Sequence, residues 1–170
     1  ALLAMVARFS DGPRHDAEVV GRVRAAADGL ADEALHLAES DEAAFGNVVI
    51  AYRLPNDTAE QRAARSDAIA DALAGASRPP ADLMAAAVRL AGLAEDLLSV
   101  ANRNVISDIA AAAAAIGAAA VTARINIEAN LGGIKDTALA AELAATAELA
   151  DSVTDRADRL VEAIREEISR

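Results

Sequence analysis

Alanine most narrows what this chain can become. It supplies more than a quarter of the 170 residues, and it is the strongest helix former. Aromatic residues make up only 2%, and strand formers such as Thr, Tyr, Phe and Trp are scarce. The expected class is all-α. Alanine faces let helices approach closely, but each methyl removes little apolar area from water. A lone subunit built this way is short of core volume, which predicts that a second copy completes it.

Helix breakers divide the chain into long segments with short joints. Ser10-Asp11-Gly12-Pro13 ends a first helix that reaches about Phe9. A long helix then runs from about Arg14 to Arg53 and stops at Leu54-Pro55-Asn56-Asp57. Thr58, with Gln61 three residues on, forms a capping box for the third helix, which ends near Ala76 before Pro79-Pro80. A fourth runs from about Ala81 to Val100. Ser107 is the expected cap of a fifth that reaches about Glu128, and Asn130-Leu131-Gly132-Gly133 ends it. The last spans about Lys135 to Ser169, with apolar residues at Leu139, Leu143, Ala147, Ala150, Val153, Ala157, Leu160, Ile164 and Ile168, the spacing of a packed face. About five long helices with short joints predict a multihelical bundle over residues 1–170, a single domain. Ala1 to Ala7 reads as the middle of a helix with no cap before it, so an N-terminal piece is expected to be missing from the given sequence.

The net charge is −11 and the pI near 4.5. That balance repels phosphate backbones and anionic lipid, which argues against nucleic-acid and membrane-surface partners. Without cysteine, there is no disulfide, no Cys-ligated zinc and no thiol nucleophile. The longest charge-free apolar run, Ile109 to Ala123, is too short to span a bilayer. These features fit a cytoplasmic enzyme.

Two helices carry candidate chemistry. In the second, an apolar face runs through Leu30, Ala34, Ala38, Phe45, Val48 and Tyr52. At ~100° per residue, Asp41 falls within about 20° of the centre of that face. Asp28, Asp32, Glu33, Glu39 and Glu42 point elsewhere. A carboxylate on a buried stripe is costly unless paired or hydrogen-bonded, and burial favours its protonated form, which suits proton transfer near neutrality. The alternative is an Asp paired with an Arg, or one facing a polar gap between helices. In the fifth helix, Asp108, Ala112, Ala115, Ala119, Thr122 and Asn126 share one face, a methyl floor with polar ends that suits a flat ligand. Close helix packing, with Asp108 beside the helix dipole, explains the same pattern. Asn102-Arg103-Asn104 precedes a helix N-terminus and is either an anion-binding turn or a solvated one. His36 lies opposite the apolar face and His15 near a helix start; neither has the spacing of a metal site or a catalytic pair.

Several short strings, in order, resemble one known family. Asp41-Glu42-Ala43-Ala44-Phe45 followed by Ala51-Tyr52-Arg53-Leu54-Pro55 is similar to an element of the cyclodeaminase domain of formiminotransferase-cyclodeaminase. Asn102 to Asp108 resembles its Asn-rich turn and Ser-Asp helix start. Arg124-Ile125-Asn126-Ile127 resembles its Ile-Asn-Leu element, Ile134-Lys135-Asp136 the following turn, and Met5 to Phe9 the end of its first helix. Thr122 stands where some members have Asn, and Ile127 where Leu is common. The family's Gly-rich stretch before the first helix has no counterpart here.

The resemblance implies an intertwined homodimer acting on a tetrahydrofolate that carries a one-carbon unit, with no cofactor beyond that folate. It implies conversion of 5-formimino-tetrahydrofolate to 5,10-methenyl-tetrahydrofolate and ammonia, or instead hydrolysis of the methenyl compound to 10-formyl-tetrahydrofolate. The family's active-site Asp maps onto Asp41, expected as the general acid/base. Asp108, Asn126, Ser107 and Asn102 are then candidates for pterin or one-carbon contacts, and Arg8 and Arg103 for the anionic glutamate tail. A non-catalytic helical dimer is the competing class; a generic signalling bundle would leave the placement of Asp41 unexplained.

Overall fold

The computed structural model describes residues 1–12 and 16–170. Among them are six α-helices, one 3-10 turn and no strand, as the alanine content predicts. The helices are α1 (Leu2–Phe9), α2 (Ala17–Tyr52), α3 (Ala59–Ala76), α4 (Arg78–Leu98), α5 (Ile106–Leu131) and α6 (Thr137–Ile168), and the turn Arg103–Val105 leads into α5. Five of the six are long. His15 and the expected start of the second helix at Arg14 lie outside the described residues.

The helix starts follow side-chain chemistry. Asp16 accepts from the Glu18 and Val19 amides at 3.0 and 3.1 Å, and Asp136 does the same for Ala138 and Leu139. The Thr58–Gln61 capping box forms in both directions: the Gln61 amide donates to Thr58 Oγ1 and Gln61 Oε1 accepts from the Thr58 amide. Two expected boundaries move. Pro79-Pro80 does not precede α4 but opens it, in the first turn, where a missing N–H costs nothing. Ser107 does not cap α5: the helix starts one residue earlier, its N-cap is Val105, and no side chain caps it. Instead Asn102 Oδ1 accepts from the Asn104 amide in the preceding turn.

α5 lies at the centre, packed against α6, α4, α1 and α3. Its Ile109, Ile116 and Ile127 are buried. The face predicted for α6 is buried from Leu143 through Ile164. The two helices meet where a Cβ on Gly117 would stand 3.4 Å from the Ala157 methyl, the close approach that small residues permit. Met84, Leu97, Ile109, Ile164, Val6, Val23 and Val153 are the fully buried large side chains of the main core. Ile127, Leu143 and Ala147 form a second cluster with Ala81 and Ile134 packed on it. The segment Arg103–Leu131 is long and apolar enough to cross a bilayer by length and composition; in this fold its helix packs against α1, α3, α4 and α6.

The stripe on α2 behaves differently from the prediction. It is buried only as far as Leu30, and no residue from Ala31 to Ile50 is buried. Asp41 is exposed, not covered as expected. Periodicity identifies which face of a helix is apolar, but not whether anything stands opposite it. Here the α2 residues of the main core end at Leu30.

Candidate functional site

Asp41 nevertheless faces a cavity, of about 220 Å³. Ala38 and Asp41 of α2 form one wall. Pro79, Pro80 and Leu83, from the first turns of α4, form the second. Thr122 and Asn126 of α5 form the third. The prolines supply rigid apolar surface without amide donors. Sequence reasoning read this Pro-Pro pair only as a break; that it opens a helix is what turns it into a wall.

The polar groups differ in what they have left to offer. Thr122 Oγ1 donates to the Ala118 carbonyl at 2.9 Å, so its hydroxyl remains an acceptor for anything entering. Asp41 and Asn126 have no hydrogen-bond or ion-pair partner among the described residues. Elsewhere on the surface, cations and acids do pair: Arg22 with Asp96 at 2.9 Å, Arg156 with Glu95 at 2.7 Å, Arg89 with Glu33. Arg124, close in sequence to Asn126, is drawn aside to Glu128 and Asp151 at 2.7 and 2.8 Å, and those partners raise its pKa. The cavity thus presents one free carboxylate, one free amide and a hydroxyl acceptor against apolar walls.

The other predicted residues lie elsewhere. Asp108 sits half-buried in the first turn of α5. Eighteen residues separate it from Asn126, about 27 Å of helix, so one small ligand within this subunit does not reach both. Ser107 is exposed beside it. Asn102 ties two segments together: its backbone N–H donates to Ser10 Oγ at 2.9 Å, and its Nδ2 donates to the Phe9 carbonyl at 3.1 Å. Ser10 is fully buried and also donates to the Val6 carbonyl at 2.8 Å. Arg103 pairs with Glu167, and Arg8 makes a two-pronged pair with Asp28 at 2.9 and 3.0 Å. Of the predicted set, then, Asp41 and Asn126 come together, joined by Thr122. His36 is exposed and 3.7 Å from Glu39.

An all-helical bundle whose α2, α4 and α5 line an open cavity bearing an unpaired carboxylate defines a class of small-molecule site between helices. The model of the formiminotransferase-cyclodeaminase family matches residues 1–149. The methenyltetrahydrofolate cyclohydrolase of Methylorubrum extorquens is 32% identical over 145 residues, which cover 84% of this chain and 70% of that protein. The chain belongs to the formiminotransferase-cyclodeaminase family, as its motifs indicate. The crystal structure of formiminotetrahydrofolate cyclodeaminase from Thermotoga maritima matches with a TM-score of 0.83 over 99% of this chain and 82% of that one. At 23% identity, that likeness shows the fold.

Proposed function

We propose that this chain hydrolyses 5,10-methenyl-tetrahydrofolate to 10-formyl-tetrahydrofolate in the cytoplasm, with Asp41 as general base and then general acid. The observation that carries the reading is that Asp41 and Asn126, whose side chains have no partner among the described residues, line one apolar-walled cavity. Asp41 takes a proton from water as the oxygen bonds to the one-carbon centre. The adduct is tetrahedral. Its hydroxyl loses a proton as the carbon–nitrogen-5 bond breaks, nitrogen 5 takes a proton from Asp41, and one proton is released overall. Asn126 offers an N–H to the oxygen of the adduct, where charge develops.

Hydrolysis is preferred to deamination because the relative at 32% identity carries the cyclohydrolase name. In the deaminase reading nitrogen 10 replaces water as nucleophile and Asp41 protonates the departing ammonia. The absorbance of the methenyl compound separates the two: an enzyme-accelerated fall with methenyl substrate supports hydrolysis, and a rise with formimino substrate supports deamination. No change with either leaves a non-catalytic helical protein.

The active form in this proposal is a homodimer. From Ala31 to Ile50, α2 has no buried residue, and Phe45 and Tyr52, which share a side of the helix with Asp41, are 65% and 52% exposed. A second copy laid on that face would cover them and close the open side of the Asp41 cavity.

A further inference from the structure

Among the described residues, three polar side chains line the Asp41 cavity: Asp41, Thr122 and Asn126. The proposed reaction uses the first and the last and leaves Thr122 without a task. Thr122 and Asn126 are four residues apart, so they stand one turn apart on the same side of α5. The Thr122 hydroxyl has a single proton, and that proton is committed: Oγ1 donates to the Ala118 carbonyl at 2.9 Å. The bond fixes the rotation of the hydroxyl and leaves its oxygen as an acceptor. Thr146 and Thr154 on α6 make the same bond, to the Glu142 and Ala150 carbonyls at 3.0 and 2.9 Å, so the bond alone singles out nothing. The setting does. Of the three threonines, Thr122 is the one that lines the cavity holding the unpartnered Asp41 carboxylate.

A water that attacks carbon must aim a lone pair at it and give up a proton. A water held between two acceptors gives one hydrogen bond to each, and its lone pairs then point away from both. Asp41, acting as base, and Thr122, which has only lone pairs left to offer, are such a pair of acceptors. A freely rotating hydroxyl would instead donate to the carboxylate or to the water and spoil the arrangement. Pro79 and Pro80 bring no amide N–H to the wall that could occupy the lone pairs of the water. Asn126 is then the donor in reserve, needed once the oxygen of the adduct gathers charge.

From this we infer that Thr122 is the water-positioning residue of the site: its Oγ1 accepts from the proton of the attacking water that Asp41 does not take, and so aims the lone pair of the water at the one-carbon centre. The inference deepens the hydrolysis reading above and rests on it. No proton moves to Thr122. As the oxygen bonds to the carbon, one proton of the water passes to Asp41. The other stays on the hydroxyl of the adduct, held against Thr122 Oγ1 until it is released as the carbon–nitrogen-5 bond breaks. Deamination has no use for such a group, because its nucleophile, nitrogen 10, is already tethered beside the carbon within the substrate. A fixed acceptor for water at this place therefore favours hydrolysis.

Thr122→Val keeps the shape of the side chain and removes the acceptor, whereas Thr122→Ser keeps the acceptor. The Ala118 carbonyl retains its backbone partner one turn on, and Thr122 is exposed, so both variants should keep the wild-type cooperative thermal transition. With methenyl-tetrahydrofolate as substrate, T122V should lose about ten- to a hundredfold in kcat with little change in KM, because the substrate binds as before and only the water is misaligned. T122S should recover most of that loss. Wild-type kcat in T122V overturns the water site while the hydrolysis reading stands. A raised KM at unchanged kcat also overturns it, since the hydroxyl would then serve substrate binding rather than the attacking water. A loss in T122V that T122S does not recover marks a packing role and overturns it as well. Wild type that leaves the methenyl compound unchanged overturns the hydrolysis reading itself, and the water site with it.

Discussion

Replacing Asp41 by Asn keeps the size of the side chain and removes its ability to carry a proton. Because Asp41 is exposed and makes no contact on which the fold depends, Asp41→Asn should melt at the wild-type temperature. Its kcat on methenyl-tetrahydrofolate should fall by about 10²–10⁴, the range for loss of a general acid/base. Near-normal turnover in a folded variant would remove the assignment. A second residue-scale effect concerns Glu95, whose pKa is lowered chiefly by its hydrogen bonds from Arg156, against some desolvation. A carboxyl with a lowered folded pKa contributes its full stability above its unfolded pKa and loses it as pH falls through the folded value. Denaturation of wild type and Glu95→Gln should therefore differ near neutral pH and converge in the acid range below ordinary glutamate values. With Glu95 43% exposed, solvent screening keeps the difference below about 1 kcal/mol.

At the scale of the helices, the caps and turn chemistry set where segments begin. Thr58 and Gln61 satisfy amides at the start of α3 that would otherwise lack partners. α3 has only Ala70 buried, so little packing compensates for a lost cap. Thr58→Ala should cost about 1 kcal/mol, read as a lower midpoint in urea. The Pro79-Pro80 pair illustrates how one pattern serves two structures. Two prolines in a row stop a helix that arrives from the N-terminal side and also begin one that continues towards the C-terminus. Both occur here, with Ser77 fully buried at the junction and its hydroxyl donating to the Leu73 carbonyl at 2.9 Å.

For the whole molecule, the outstanding feature is the uncovered half of α2. Exposing Phe45 and Tyr52 on one side of α2 leaves apolar area in water that a second copy would remove. If the proposed homodimer is the active form, Phe45→Asp should shift the protein towards monomer in sedimentation velocity and reduce turnover with it, since a second copy would no longer close the Asp41 cavity. A wild-type monomer with full activity would argue against the homodimer proposal.

Residue order alone specified the helices, because alanine propensity, capping boxes and proline breaks act over a few neighbours and need no tertiary partner. It also singled out Asp41 and Asn126, since helical arithmetic compares positions along one element, and the ordered motifs pointed to the family. What surrounds those side chains was another matter. That Asp41 is exposed, that Asn126 rather than Asp108 stands near it, and that Arg8 and Arg103 are already paired all depend on which helices meet and at what level. Burial and charge pairing are relations between distant segments, and only the packed arrangement of α2, α3, α4 and α5 decided them.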